Sequence, residues 1–234
     1  MLDFVASFGL AFRLISDADP ELTRIVALSL EVSLASSLLA CALGLPLGGL
    51  VAVRKFPGRR AVVVGLNALF GLPSVVVGLA VYLLLSRAGP LGSLGILFTP
   101  PAIVIAQTLL VLPIMAALTR QTVEDLWTEY RDELTAMRVG RIGRVATLLW
   151  DARFSLTTTL LAGFGRAAAE VGTVMIVGGN IDGFTRTMTT AIALETSKGD
   201  LPLAIGLGLF LITLIVLVNA AAWGVRRIGE LRAG

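Results

Sequence analysis

Hydrophobic residues in this chain run in long blocks. Five stretches stand out: 25–53, 61–85, 101–119, 154–177 and 201–223. Four of them contain at most one ionisable residue, and 154–177 contains two, Arg166 and Glu170. Crossing about 30 Å of hydrocarbon takes about 20 apolar residues in a helix, so the pattern predicts five transmembrane helices. The Gly44–Gly49 run around Pro46 predicts a kink in the first. No internal repeat or second domain interrupts the blocks, so 1–234 reads as one all-α membrane domain.

Basic residues fix the expected sidedness, because positive loops stay in the cytoplasm. With the N-terminus outside, the inner segments 54–60, 120–153 and 225–234 hold 13 of the 19 Lys and Arg residues. The outer segments hold five: Arg13, Arg24, Arg87, Arg186 and Lys198. The expected topology is therefore N-terminus out, C-terminus in. Residues 1–20 lack the charged leader and cleavage site of a signal peptide. Five helices are few to enclose a solute path, so a homodimer is expected.

The one long inner segment, 120–153, has its own pattern. Leu126, Tyr130, Leu134 and Met137 recur at helical spacing among Glu124, Asp125, Glu129, Asp132 and Glu133, and the stretch meets Gly140. It reads either as a docking helix for a cytosolic protein or as a helix lying on lipid.

Composition agrees with a membrane protein. Hydrophobic residues make up 56% and charged residues 15%, against about 45–50% and 25% in soluble domains. There is no histidine, which removes His-based catalysis, metal ligation and proton relay. Neither Lys55 nor Lys198 lies in a GxxxxGK[ST] loop, so the chain has no ATP-binding P-loop. Cys41 is alone in an apolar stretch, so no intrachain disulfide is expected. A net charge of +3, spread over short loops, gives no reason to expect a nucleic-acid partner or a metal site.

Several runs resemble one family. Leu134-Thr135-Ala136-Met137-Arg138-Val139-Gly140, with Trp150-Asp151-Ala152-Arg153 after it, is similar to the EAA loop of ABC-importer permease subunits. That motif reads E-A-A-x-x-x-G, then nine residues, then I-x-L-P. Leu134 replaces its acidic residue and Arg153 its proline. GLPSVVVG at 71–78 with SRAGPLG at 86–92, and GFGRAAAEVG at 163–172, resemble permeases of the molybdate/tungstate type. VGGNIDGFTRTMTTAI at 177–192, followed by LETSKGD at 194–200, is similar to the tungstate branch in particular.

The resemblance implies a type I importer-like transmembrane domain in a prokaryotic plasma membrane. Two copies would sit on two separate ATPase subunits, which bind the ATP and Mg, and an extracytoplasmic binding protein would deliver tungstate or molybdate. Alternating access would follow, with Glu133, Leu134, Thr135, Ala136, Met137, Arg138, Gly140 and Arg141 forming the contact to the ATPase. No catalytic residue and no cofactor are expected in this chain.

Candidates for the path or its gates are polar residues at depth or in the outer loop. Arg166 and Glu170 either face the path, where the cation attracts a dianion, or pair as structural glue; a deep charge needs a partner or water in either case. Glu31 reads as structural, reaching toward the interface. Asn180, Thr185, Arg186, Thr189 and Thr190 offer donors to a tetrahedral oxyanion, or belong to a plug that meets the binding protein. A helix is expected over about 186–197, ended by Gly199. Pro73 and Ser74, between Gly71 and Gly78, suggest a broken helix lining the path, though packing explains them as well. Two other classes compete. A membrane-embedded enzyme lacks any Ser–His pair, aspartyl dyad or metal site at depth. An ion-coupled carrier would work without an ATPase.

Overall fold

A computed structural model describes residues 20–233, and all of the regular structure in them is helical. The reading of 1–19 as leader-free and the outer placement of Arg13 lie outside the described residues. The helices in chain order are α1 (Pro20–Val53), α2 (Arg59–Ala68), α3 (Ser74–Leu85), α4 (Pro100–Ala136), α5 (Arg141–Asp151), α6 (Arg153–Ala168), α7 (Gly172–Gly178), α8 (Met188–Lys198) and α9 (Leu201–Ala233).

Three helices are long and apolar enough to cross a bilayer by themselves: α1, α4 and the 201–221 part of α9. The other two apolar blocks are broken. The α2 side (59–71) meets α3 at 101°, and α6 meets α7 at 58°. Each pair is either one bent span or a re-entrant segment. At about 1.5 Å per residue the 12 residues of α3 reach only about 18 Å, so 61–85 is not a straight helix.

The first break has a plain cause. Pro73 (φ −62°, ψ 123°) lacks an N–H and holds Leu72 extended, which stops the turn at Leu69–Gly71. The second has no proline. Ala169, Glu170 and Val171 leave the helix, and Glu170 supplies side-chain acceptors in place of the lost backbone bonds.

The core is the α1–α4 pair. Both helices run without interruption through an internal proline, Pro46 and Pro113. Helical bonding continues through the Gly44–Gly49 run where a kink is expected, and the glycines there serve close approach. A Cβ on Gly48 would lie 2.4 Å from the Ala116 carbonyl oxygen, and one on Gly44 would lie 2.7 Å from Met115 Cβ. Ala40, Val111, Met115 and Ala167 pack together next to this crossing, while α3, α4 and α7 share a second cluster with Val32 of α1.

α4 also joins two segments expected to be separate. It continues past residue 119 for 37 residues in all, so the amphipathic stretch 126–136 is its last turns. The helix ends at Ala136, not at Gly140. Arg138 takes the left-handed position (φ 53°), and Val139 N–H donates to the Leu134 carbonyl at 3.1 Å. That is the Schellman closure that glycine normally provides. Gly140 (φ −66°) instead caps the start of α5.

Candidate functional site

The two breaks lie side by side. Thr173 Oγ1 on α7 donates to the Ser74 carbonyl at 2.7 Å, linking one interrupted segment to the other. Close approach depends on glycine here too. A Cβ on Gly172 would sit 2.9 Å from Val75 Cγ2, and one on Gly78 would sit 3.0 Å from Thr173 Cα. Pro73 is exposed at the break, and Ser74 opens α3.

Glu170 is the centre of this region. Its side chain is 2% exposed and pairs with Arg166, whose side chain keeps 33% exposure. The other carboxylate oxygen accepts the Thr173 N–H at 2.9 Å, and the Glu170 carbonyl accepts the Thr189 hydroxyl at 2.8 Å. The carboxylate thus satisfies a backbone donor that the break frees, and also pairs with the Arg166 guanidinium.

One more polar group closes the region. Gln107 on α4 is 2% exposed; its Nε2 donates to the Ala167 carbonyl at 3.1 Å, and its Oε1 accepts from Ser36 Oγ at 3.0 Å. Neither Gln107 nor Ser36 was among the expected site residues. The available signal was a single amide inside an apolar block and a Ser33-Ser36-Ser37 face spaced i, i+3, i+4.

The hydroxyls of the 185–190 segment are already engaged. Thr185 Oγ1 donates to the Gly178 carbonyl at 2.6 Å and accepts the Ile181 N–H, which folds 178–185 back on itself. Thr187 and Thr190 form a capping box at the start of α8, and Gly199 (φ 84°) ends that helix. Asn180 sits at φ 49° just after α7, with its buried Oδ1 unpartnered. Arg186 reaches Asp182 at 3.1 Å and Glu21 at 3.4 Å. A hollow of about 540 Å³ beside it is lined by Glu21, Arg24 and Asp182, so charges of both signs face it. Glu31 is exposed on α1.

The second candidate region is the end of α4 with α5. All of the apolar stripe but Met137 packs within the chain: Leu126, Tyr130 and Leu134, with Trp127 and Val139, pack on Ala52, Val123 and Leu148. Of the residues expected to couple, Leu134 is buried, whereas Glu133, Thr135, Ala136, Met137, Arg138, Gly140 and Arg141 are exposed. Arg144 holds the turn, donating from Nε to the Val139 carbonyl at 2.8 Å and lying over the Trp127 ring. Beside it, Tyr130, Glu133, Met137 and Asp151 rim a recess of about 260 Å³. Glu129 first, then Asp151, push the Tyr130 phenol above its ordinary pKa. This end is anchored to the span by Glu124, which binds Arg59 at 2.7 Å and also pairs with Arg120.

Known proteins resemble the chain over most of its length. A Haloferax volcanii protein named "Probable anion ABC transporter permease protein" is 43% identical over 85% of this chain and 88% of its own. The tungstate uptake system permease protein TupB of Peptoclostridium acidaminophilum is 37% identical over 96% of this chain and 99% of its own. The chain belongs to the ABC transporter permeases. TupB of Campylobacter jejuni is 35% identical over 93% of the permease and 92% of its own length. The sulfate permease CysW of Escherichia coli is more distant, at 28% over 82% and 69%. No family model matches the permease. It is a multi-pass membrane protein and a transporter subunit rather than an enzyme.

Proposed function

We propose that the permease is the transmembrane subunit of an ATP-driven importer for a tetrahedral oxyanion, tungstate in the first place. One observation carries this reading: identity to tungstate uptake permeases is 37% and 35% over more than nine tenths of the chain, against 28% for the sulfate permease. Molybdate is the second reading, since it has the same charge and shape.

The proposed arrangement has five passes, with the α2–α3 and α6–α7 pairs each counted as one, and the end of α4 in the cytoplasm. Two copies face each other and rest on two separate ATPase subunits, which hold the ATP and Mg, while a binding protein delivers the anion outside. The exposed residues Glu133, Thr135, Ala136, Met137, Arg138, Gly140 and Arg141 form the ATPase contact, with Leu134 as its internal anchor. The path runs past the paired breaks at 73–74 and 169–171. Because Glu170 neutralises Arg166, the path holds no bare cation that would trap a dianion, which suits passage over storage. Asn180 and Arg186 belong to the outer gate. The buried hydroxyls of Thr185, Thr189 and Thr190 shape that gate and do not bind the ion in this conformation.

The test is elemental uptake in cells with and without the permease, supplied with submicromolar tungstate, molybdate and sulfate. Loss of tungsten accumulation alone is the expected result. Loss of molybdenum or sulfur in its place would keep the transporter class and overturn the substrate. Uptake that persists when the partner ATPase is inactivated would favour an ion-coupled carrier.

A further inference from the structure

We propose that a groove between the end of α1 and the start of α5 seats the phosphate headgroup of an anionic phospholipid, with an acyl chain along α1. The proposal rests on the reading above that this end of α1 lies at the cytoplasmic interface.

The groove holds about 400 Å³, and Arg54, Lys55, Arg141 and Arg144 line it together with Leu50 and Ile142. Among the described residues no carboxylate lines it. The side chains of Arg54, Lys55 and Arg141 make no hydrogen bond or ion pair among the described residues, whereas nearby Arg59 and Arg120 share Glu124. Four cations around one hollow repel each other unless an anion enters, and basic pockets on the cytoplasmic side of spans suit lipid headgroups.

An apolar track leads to the same place. Leu39, Leu43, Leu47 and Leu50 are 48%, 56%, 39% and 43% exposed. Their i, i+4, i+8, i+11 spacing puts them on one face of α1. From Leu39 to Leu50 is about 16 Å along the helix, close to half of a hydrocarbon core about 30 Å thick. That is the reach of one acyl chain below its headgroup. Ile142 (83% exposed) at the groove and Trp150 (71%) on the same short helix suit a helix lying in the interface. Contact with an acidic ATPase surface would use the cations but would leave the leucine track unexplained.

The experiment reads retention of phosphatidylglycerol against phosphatidylcholine on the purified full-length permease, in mixed micelles, by native mass spectrometry. The wild type is expected to prefer phosphatidylglycerol, and the preference should fall as NaCl rises. Arg54→Gln with Lys55→Gln removes two charges outside the proposed coupling segment and should weaken phosphatidylglycerol roughly 30-fold, at about a tenfold loss per 1.4 kcal/mol and about 1 kcal/mol per charge. Phosphatidylcholine retention should not change. Equal retention of both lipids by the wild type overturns the proposal without need of a variant. So does displacement of the lipid by submillimolar inorganic phosphate or tungstate, which would mark a soluble-anion site. Unchanged lipid selectivity in the double variant with lost ATPase co-purification would assign the groove to the ATPase. Failure of the substrate reading would appear in the uptake assay and leave lipid selectivity unaffected.

Discussion

The α1–α4 pair and the α3–α7 pair both depend on glycine for close approach, but they meet different demands. In α1–α4 the helices are continuous, so their backbone groups bond within each helix; Gly44 and Gly48 provide the space, and Ser36 and Gln107 bond across the pair. In α3–α7 both segments are interrupted, and the buried backbone groups that the breaks free need partners. Thr173, Glu170 and Thr189 supply them. A straight pair in a bilayer keeps its backbone groups bonded within each helix, whereas a broken pair needs polar side chains to satisfy the groups that the break frees. The polar residues that look like path candidates are therefore also the ones that keep the breaks intact.

The sharpest way to break the comparison is at Gly48. Gly48→Ala puts a methyl carbon against the Ala116 carbonyl oxygen, Thr119 Cβ and the Arg120 nitrogen, so the two helices must separate. Overpacking of this kind costs about 1–3 kcal/mol, or more where backbone cannot yield. Thermal unfolding in detergent should show a drop of several degrees or loss of folded yield. Gly165→Ala is the control: a Cβ built there meets nothing within 4 Å, so little change is expected.

At the broken pair the corresponding change is Glu170→Ala. It removes the partner of Arg166 and the acceptor for Thr173 N–H together. Cap loss alone costs about 0.5–2 kcal/mol, and the uncompensated guanidinium adds to that, less its one-third exposure. A double-mutant cycle with Arg166→Gln separates the roles. If the pair is glue, the double variant recovers stability and retains uptake. If Arg166 guides the anion, stability recovers and uptake does not.

Legibility followed the same division. The apolar blocks at 25–53, 101–119 and 201–223 each lie in one helix, because length and hydropathy are all that a straight helix needs. The break at Leu72–Pro73 was readable from proline. The break at 169–171 was not, since Ala-Glu-Val is a sound helical sequence and the cause is tertiary: Thr189 from α8 and Thr173 on α7 bind Glu170. Gln107 was missed because one amide barely lowers the hydropathy of its block. The end of α4 was misjudged because Gly140 looked like the terminating glycine while Arg138 took the left-handed turn.

That turn gives a smaller, signed effect. A non-glycine residue at φ 53° costs roughly 1–2 kcal/mol relative to glycine, so Arg138→Gly should raise the melting temperature slightly. Arg138 is exposed, and its side chain makes no hydrogen bond or ion pair among the described residues. If it serves the ATPase contact, the stabilised variant will show weaker ATPase co-purification. If co-purification is unchanged, Arg138 lies outside that contact.

Gly140 should have the smallest effect on stability and completes the contrast with Gly48. Its φ of −66° suits any residue, and a Cβ built there meets nothing within 4 Å. A side chain has room there, so Gly140→Leu should cost no more than a weakened N-cap on α5, at most about 1 kcal/mol in thermal unfolding. A partner lying closely over the 137–140 turn would reverse this tolerance. The variant would then hydrolyse ATP in the assembled transporter without importing anion, because the leucine holds the two surfaces apart. Normal import by a stable Gly140→Leu permease would mean that no partner packs tightly over this turn, and the coupling contact would move to the recess between Tyr130 and Asp151.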